Sequence, residues 1–306
     1  MKRLIPFLLI FALLLSGCGA SEAPAQIAAT TLPVYEFTSR LLEGTPITVT
    51  RLVTEEVSCR HDYSLHVKQE KAAEAAELIV ISGAGLEEFL DDLLLNAATI
   101  DASRGIELIC PEEVGHDHDH GHEEEDAHDH EEEESHEGHN HDQDPHIWLS
   151  PVNAGIMARN ICLGLTDAYP EYAQVFSANL EVLTAELNAL YTYGDDALSS
   201  LSCRELITFH DGFAYFAHAF DLEILEAVEE ESGSEASAKE LIHLIEEVDH
   251  HSLPAIFTEK SGSVSAAGII ARETGCGSFT LDMAMSGDSY FDAMYHNIDT
   301  IKEALG

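Results

Sequence analysis

The chain has 306 residues, with 57 acidic and 14 basic side chains, 18 histidines and a formal net charge of −43. So acidic a surface repels nucleic acid and anionic lipid and concentrates cations, so nucleic acid is excluded as a partner. Length alone allows one large or two medium domains with a substantial core.

From the N-terminus, Lys2 and Arg3 precede an apolar run over 4–15, short of the roughly 20 residues that span a bilayer. The run ends in Leu15-Ser16-Gly17-Cys18, small residues before a cysteine, which reads as a lipobox. Residues 1–17 are therefore expected to be a lipoprotein signal peptide, Cys18 the lipidated residue and 18–25 a flexible tether. The expected location is extracytoplasmic, on the cell surface or periplasmic side, with the membrane as a partner through the N-terminal lipid anchor.

Beyond the tether, patterning predicts strands at 27–31, 47–53, 78–82 and 107–110, and helices at 35–42, 64–76 and 87–97. Alternation of this kind argues for a parallel sheet covered by helices. Residues 151–167 are predicted helical. The stretch 170–201 then carries Tyr172, Val175, Phe176, Leu180, Leu183, Leu187, Leu190 and Tyr191 on one stripe. At about 1.5 Å per residue it would run past about 40 Å, a spine between two lobes. The second lobe repeats the alternation, with strands at 206–209, 223–228, 255–258 and 278–281 and helices at 212–219, 238–250, 263–274 and 289–305. Ser237-Ala-Lys-Glu240 is a capping box. The expected fold class is α/β: two lobes, each a parallel sheet flanked by helices, joined by a long rigid helix. The expected boundaries are 26–168, 169–201 and 202–306.

One segment departs from globular sequence. Between 116 and 141 lie nine histidines (His116, His118, His120, His122, His128, His130, His136, His139 and His141) among Asp, Glu and Gly. With almost no apolar residue it is expected to be a mobile loop. Imidazoles on an acidic tether suit zinc, copper or nickel, each ion held weakly. Apart from Cys18 the cysteines are Cys59, Cys110, Cys162, Cys203 and Cys276, an odd set without CxxC spacing, read mostly as buried or free thiols with one or two disulfides open.

Ligands of open α/β sheets gather at the carboxyl ends of strands. His61, in Cys59-Arg-His61-Asp-Tyr63, follows the second strand. His146 precedes a helix in Asp144-Pro-His146-Ile-Trp148. His210 closes the strand Leu206-Ile-Thr-Phe-His210, and Asp282 closes Ser278-Phe-Thr-Leu-Asp282. Three imidazoles and a carboxylate are a sound set for a divalent metal.

Asp144-Pro-His146-Ile-Trp-Leu-Ser-Pro151, Thr208-Phe-His210-Asp-Gly-Phe-Ala-Tyr-Phe216, Ser237-Ala-Lys-Glu-Leu241 and Gly287-Asp-Ser-Tyr290 resemble the metal-binding family of ABC-transporter solute-binding proteins, in its zinc-type cluster A-I branch. The similarity runs from about Ile27 to Ile301. It implies His61, His146 and His210 as ligands with Asp282 as the carboxylate, an ion between two lobes, small lobe movements on release, and an ABC permease with its ATPase as partners. Departures are Leu65 followed by His66 where the family has a proline, Glu259-Lys260 for Glu-Pro, and Ala236 for a proline. They touch loop stiffness rather than ligand identity, although His66 is an alternative to His61 and Cys59 an alternative extra ligand.

Zn2+ is the expected ion, because three nitrogens and one oxygen favour it over manganese; Mn2+ and Fe2+ are the alternatives. The competing functions are a His-rich metal store or buffer, an adhesin, and a zinc hydrolase. A hydrolase needs an open coordination position and a glutamate base, as in His-Glu-x-x-His, and that motif is absent. The chain is therefore not expected to be an enzyme. His218, His243, His250, His251 and His296 read as surface or structural histidines.

Overall fold

A computed structural model describes residues 26–55, 66–95, 97–109, 143–228, 236–260 and 264–306. The expectations for the signal peptide, Cys18, Cys59, His61, Cys110 and the nine histidines of 116–141 lie outside the described residues.

Two parallel four-stranded sheets form the molecule. The first contains β1 (Ile27–Ala29), β2 (Val49–Arg51), β3 (Leu78–Ile81) and β4 (Thr99–Asp101), in the order β2-β1-β3-β4. The second contains β5 (Glu205–Thr208), β6 (Glu223–Ala227), β7 (Ala255–Glu259) and β8 (Gly277–Leu281), in the order β6-β5-β7-β8. In each sheet the leading strand lies between the next two, so the winding reverses beside it. The crevice outside the carboxyl ends of the strands opens at such a point.

Helices cover both sheets. In the first lobe they are α1 (Leu32–Leu41), α2 (Val67–Ala75), the single turn α3 (Asp91–Leu94) and α4 (Pro151–Ala168). Pro33 near the start of α1 presets its φ, and α1 begins three residues before the predicted helix. His66 and Gln69 form a capping box that opens α2. Ser150 Oγ accepts from Asn153 N–H at the start of α4, with Pro151 next.

Two predictions for this lobe need correcting. The fourth strand is not 107–110 but Thr99-Ile100-Asp101, which pairs with Ile79-Val80-Ile81. The Ile109 N–H instead donates to the Tyr215 hydroxyl at 3.0 Å, and its carbonyl accepts from Asp144 N–H at 3.0 Å. The segment thus uses its backbone polar groups outside the ladder. The helix over 87–97 shrinks to a 3₁₀ turn (Glu88–Leu90) and α3, because Glu87 is drawn inward and the chain must turn at once into β4.

The spine is α5 (Ala173–Leu198), 26 residues and so about 39 Å long. It is shorter than the predicted 170–201, since Pro170–Tyr172 forms a separate 3₁₀ turn. Its buried residues Phe176, Leu183, Leu187, Leu190, Gly194 and Ala197 recur at helical spacing. It packs on α1 and α4 of the first lobe and on α9 (Tyr290–Leu305) of the second. At Gly194 a Cβ would lie 2.3 Å from the Phe220 ring and 3.1 Å from Ile298, so only glycine lets the second lobe approach this closely. The second lobe also carries α6 (Ala214–Ala219), α7 (Ala238–His251) and α8 (Ser265–Thr274). The Ser237/Glu240 capping box opens α7.

One core runs through both lobes, with Trp148, Phe176, Phe216, Tyr290 and Ile298 fully or almost fully buried in it. Trp148 Nε1–H donates to the Met283 carbonyl at 2.7 Å, and the Tyr290 hydroxyl donates to the Trp148 carbonyl at 2.8 Å. Arg51 reaches the Gly287 carbonyl at 2.7 Å, and Tyr290 N–H donates to Glu36 at 2.6 Å. Each large aromatic so buried contributes about 1.5–3 kcal/mol, so the lobes are held by shared packing rather than by a bare hinge. Among the described residues Cys162, Cys203 and Cys276 are free thiols, and no helix is long and apolar enough to cross a membrane.

Candidate metal centre

His210 stands one residue beyond Phe209 at the carboxyl end of β5, the strand beside which the winding reverses. Thr208 Oγ1 donates to the His210 carbonyl at 3.0 Å and fixes the exit of the chain. Across the sheet, Glu259 ends β7 at 3% exposure and places Oε2 3.6 Å from His210 Nδ1. Burial, and then the neighbouring His146 ring, pull the His210 pKa down to about 3 from its ordinary 6.5. The imidazole is therefore neutral at physiological pH, the form that binds metal.

His146 precedes the 3₁₀ turn Ile147–Leu149 that leads into α4. Asp144 Oδ1 accepts from both the backbone N–H and Nδ1 of His146, at 2.8 and 2.7 Å. A carboxylate only accepts, so the proton sits on Nδ1 and the Nε2 lone pair faces outward. Tyr215 donates to the Asp144 carbonyl at 3.0 Å and so ties this corner to the second lobe.

The two rings meet with centroids 5.2 Å apart and planes at 84°, and Nε2 of one lies 3.4 Å from Nε2 of the other. Two nitrogens each about 2.0–2.1 Å from one tetrahedral zinc stand about 3.3–3.4 Å apart. The pair therefore already has the separation that an ion between them requires. Gly212 makes the approach possible, since a Cβ there would lie 2.7 Å from His210 Cδ2 and 3.0 Å from His146 Cε1.

Asp282 follows β8, as its sequence position suggested. Its backbone is held by Asn297, which accepts from Asp282 N–H and donates to its carbonyl, both at 2.7 Å. One carboxylate oxygen accepts from Ala284 N–H at 2.8 Å, and the other lies 3.6 Å from Lys260 Nζ. Asp282 does not join the two imidazoles in a group of three ligand atoms within 4.8 Å. Among the described residues Glu247, His250 and His251 form such a group. His146 and His210 are thus brought together, Asp282 is at the same edge of the second sheet, and His61 lies outside the described residues.

The family described as zinc-uptake complex component A, periplasmic (ZnuA), matches residues 27–304. This chain belongs to that family. The high-affinity zinc uptake system protein ZnuA of Bacillus subtilis is 27% identical over 315 residues, covering 96% of this chain and 94% of that one. The zinc-binding protein AdcA of Streptococcus pyogenes serotype M3 is 29% identical over 296 residues, 92% of this chain. AdcA is longer, and the chain spans only 56% of it. A crystal structure of ZnuA superposes with a TM-score of 0.74 at 27% identity, covering 92% of this chain and 99% of that one. One of a ZnuA deletion mutant with zinc bound gives 0.72 at 27% identity, covering 92% and 98%. ZnuA-family proteins are metal-binding transport components by description. The two parallel sheets and the long helix between lobes are the fold of these ZnuA structures.

Sequence reasoning did not assign Glu259, Lys260, Asn297 or Gly212 to this centre. Glu259 carried two signals, a charged residue closing the apolar strand Ala255-Ile-Phe-Thr-Glu259 and its match to the glutamate of the family's Glu-Pro. Gly212 stands inside the Thr208–Phe216 motif, but its steric role rests on contacts with His210, Met283 and His146 that only the folded chain brings together.

Proposed function

We propose that this protein captures one Zn2+ between its lobes outside the cytoplasm and delivers it to an ABC importer. His146 and His210 supply two nitrogens, His61 the third and Asp282 the carboxylate. The observation that carries the reading is the 3.4 Å separation of the two Nε2 atoms, each on a ring whose other nitrogen faces a carboxylate. Carboxylates behind metal-binding imidazoles set the tautomer and raise ligand basicity. Zinc fits better than manganese because the convergent donors are imidazoles, and the zinc-named relatives support the same choice.

Lys260 faces Asp282 and competes with an incoming ion for that carboxylate, so capture exchanges an ammonium for a metal. With four protein donors no coordination position is left for an activated water, and the protein carries cargo rather than catalysing a reaction. Because Trp148, Met283 and Tyr290 lock the lobes together, release proceeds through local shifts at the strand ends when the permease and its ATPase engage. In this reading Cys18 anchors the protein to the membrane, and the histidines of 116–141 gather ions weakly. The working parts divide at 26–168, 169–201 and 202–306.

The test is a zinc titration of the chain from residue 26 onward, with and without 116–141, against a calibrated chelator. One tight site that survives loss of 116–141 and disappears in His146→Ala and His210→Ala supports the reading. Tight binding that leaves with 116–141 and ignores both substitutions makes the protein a His-rich metal buffer instead.

A further inference from the structure

The interlobe centre leaves one group of metal-ligating side chains unused. Helix α7 ends in Glu247-Val-Asp-His250-His251, followed by Ser252 in the left-handed region at φ 54°. Glu247 and His251 are four residues apart and Glu247 and His250 three, so all three side chains leave the same end of the helix. Their ligand atoms lie within 4.8 Å of one another, and the two rings stand edge to face with centroids 4.8 Å apart.

Three further features point the same way. Glu205, at the start of β5, lies 3.0 Å from His251 Nδ1, while Glu247 lies 3.6 Å from His251 Nε2. A carboxylate on Nδ1 holds the proton there and turns the Nε2 lone pair toward Glu247, the arrangement found behind metal-binding histidines. The turn is also rigid, because Leu244, Val248 and Leu253 are buried in the core beneath it and Leu253 N–H closes back on the Val248 carbonyl at 2.9 Å. Finally, the carboxyl end of a helix carries partial negative charge, which favours a cation within its last turn.

We propose that Glu247, His250 and His251 form a second metal site on the outer face of the second lobe, with Glu205 as a positioning residue. Two imidazoles and one carboxylate suit a borderline divalent ion such as zinc. Exposed His250 is free to swing in, bringing the nitrogens to the roughly 3.3 Å separation that a tetrahedral ion needs. Water completes the coordination. With three protein donors at an open surface, the ion here is bound more weakly and exchanges faster than one held between the lobes. The site does not depend on the interlobe assignment.

The experiment is histidine modification by an acylating reagent on the full chain, across a series of buffered free-zinc concentrations, mapped peptide by peptide. Exposed His218 serves as internal reference. Zinc should lower the reactivity of His250 and His251 at least fivefold relative to His218, at higher free zinc than protects His146 and His210. Glu247→Gln and Glu205→Gln should each raise the zinc needed for half-protection by about tenfold. His250→Gln should do the same to protection of His251, which separates a metal site from a histidine merely paired with two carboxylates. Reactivity of His250 and His251 that is indifferent to zinc overturns the proposal, as does unchanged half-protection in Glu247→Gln. Protection of His146 and His210 is read in the same spectra, so failure of either site is seen separately.

Discussion

His146 Nε2 and His210 Nε2 stand 3.4 Å apart although 64 residues separate them in the chain. Asp144 fixes the first ring through Nδ1 at 2.7 Å, and the end of β7 presents Glu259 behind the second. Asp144 thus fixes the first ring by a hydrogen bond, whereas Glu259 stands 3.6 Å from the second, just beyond hydrogen-bond reach.

Removing either ring should therefore cost more than removing its support. We expect His146→Ala and His210→Ala to weaken zinc binding by more than about 100-fold, and Asp144→Asn by about 10–100-fold, the usual range for a group behind a ligand. Chelator competition on the purified variants checks both. An Asp144→Asn protein that binds zinc like the wild type would show that the 2.7 Å contact does not position His146.

Gly212 is predicted to tolerate no side chain. In Gly212→Ala the new methyl meets His210 Cδ2 and Met283 Cε, both at 2.7 Å, and at least one imidazole must move. Overpacking of this sort costs about 1–3 kcal/mol. The expected outcome is a lower melting temperature together with at least tenfold weaker zinc binding, measured on the same sample by calorimetry and competition. A change in stability alone would place the strain on Met283.

Acid should destabilise the metal-free protein partly through His210. Its folded pKa of about 3 lies below the ordinary 6.5. The unfolded chain therefore binds more protons between those values. The contribution is complete above about pH 6.5 and is lost as pH falls toward 3, by at most about 1.4 kcal/mol per pH unit. Urea unfolding from pH 7 to pH 4.5 in chelator should give a shallower acid-side loss for His210→Gln than for the wild type.

Glu87 has the opposite sign. Thr30, Ser82 N–H and Gly83 N–H all donate to its carboxyl group, at 2.7, 2.7 and 3.0 Å. Burial nonetheless raises its pKa from 4.5 to about 7, Asp101 adding to the rise. Its contribution is complete below about pH 4.5 and is lost as pH rises through 7. The stability of the wild type minus that of Glu87→Gln should thus fall by up to about 3 kcal/mol between pH 5 and pH 8. A difference that stays constant with pH would mean that Glu87 keeps one protonation state throughout.

Much of this was legible from the sequence because it rests on local patterning. Short apolar strands alternating with helices specify a parallel, helix-covered sheet whatever the loops do, and the stripe from Phe176 to Ala197 specifies a long amphipathic spine. The Ser237/Glu240 box is a contact three residues long, so it could be read directly. Patterning failed where an element's state is set by distant partners. Glu107-Leu-Ile109 reads as a strand, but Tyr215 and Asp144 take its backbone groups, and the plainer Thr99-Ile-Asp101 completes the sheet. Motifs named His210 and Asp282 because chemistry at strand ends leaves a residue-type signature, and His146 through the Asp-Pro-His run ahead of α4. Only the tertiary structure decided that two of them meet at 3.4 Å, that Asp282 faces Lys260, and that Gly212 and Glu259 shape the meeting point. Those relationships depend on how one sheet edge stacks against another, and they are settled by packing across tens of residues rather than by the neighbours of any one of them.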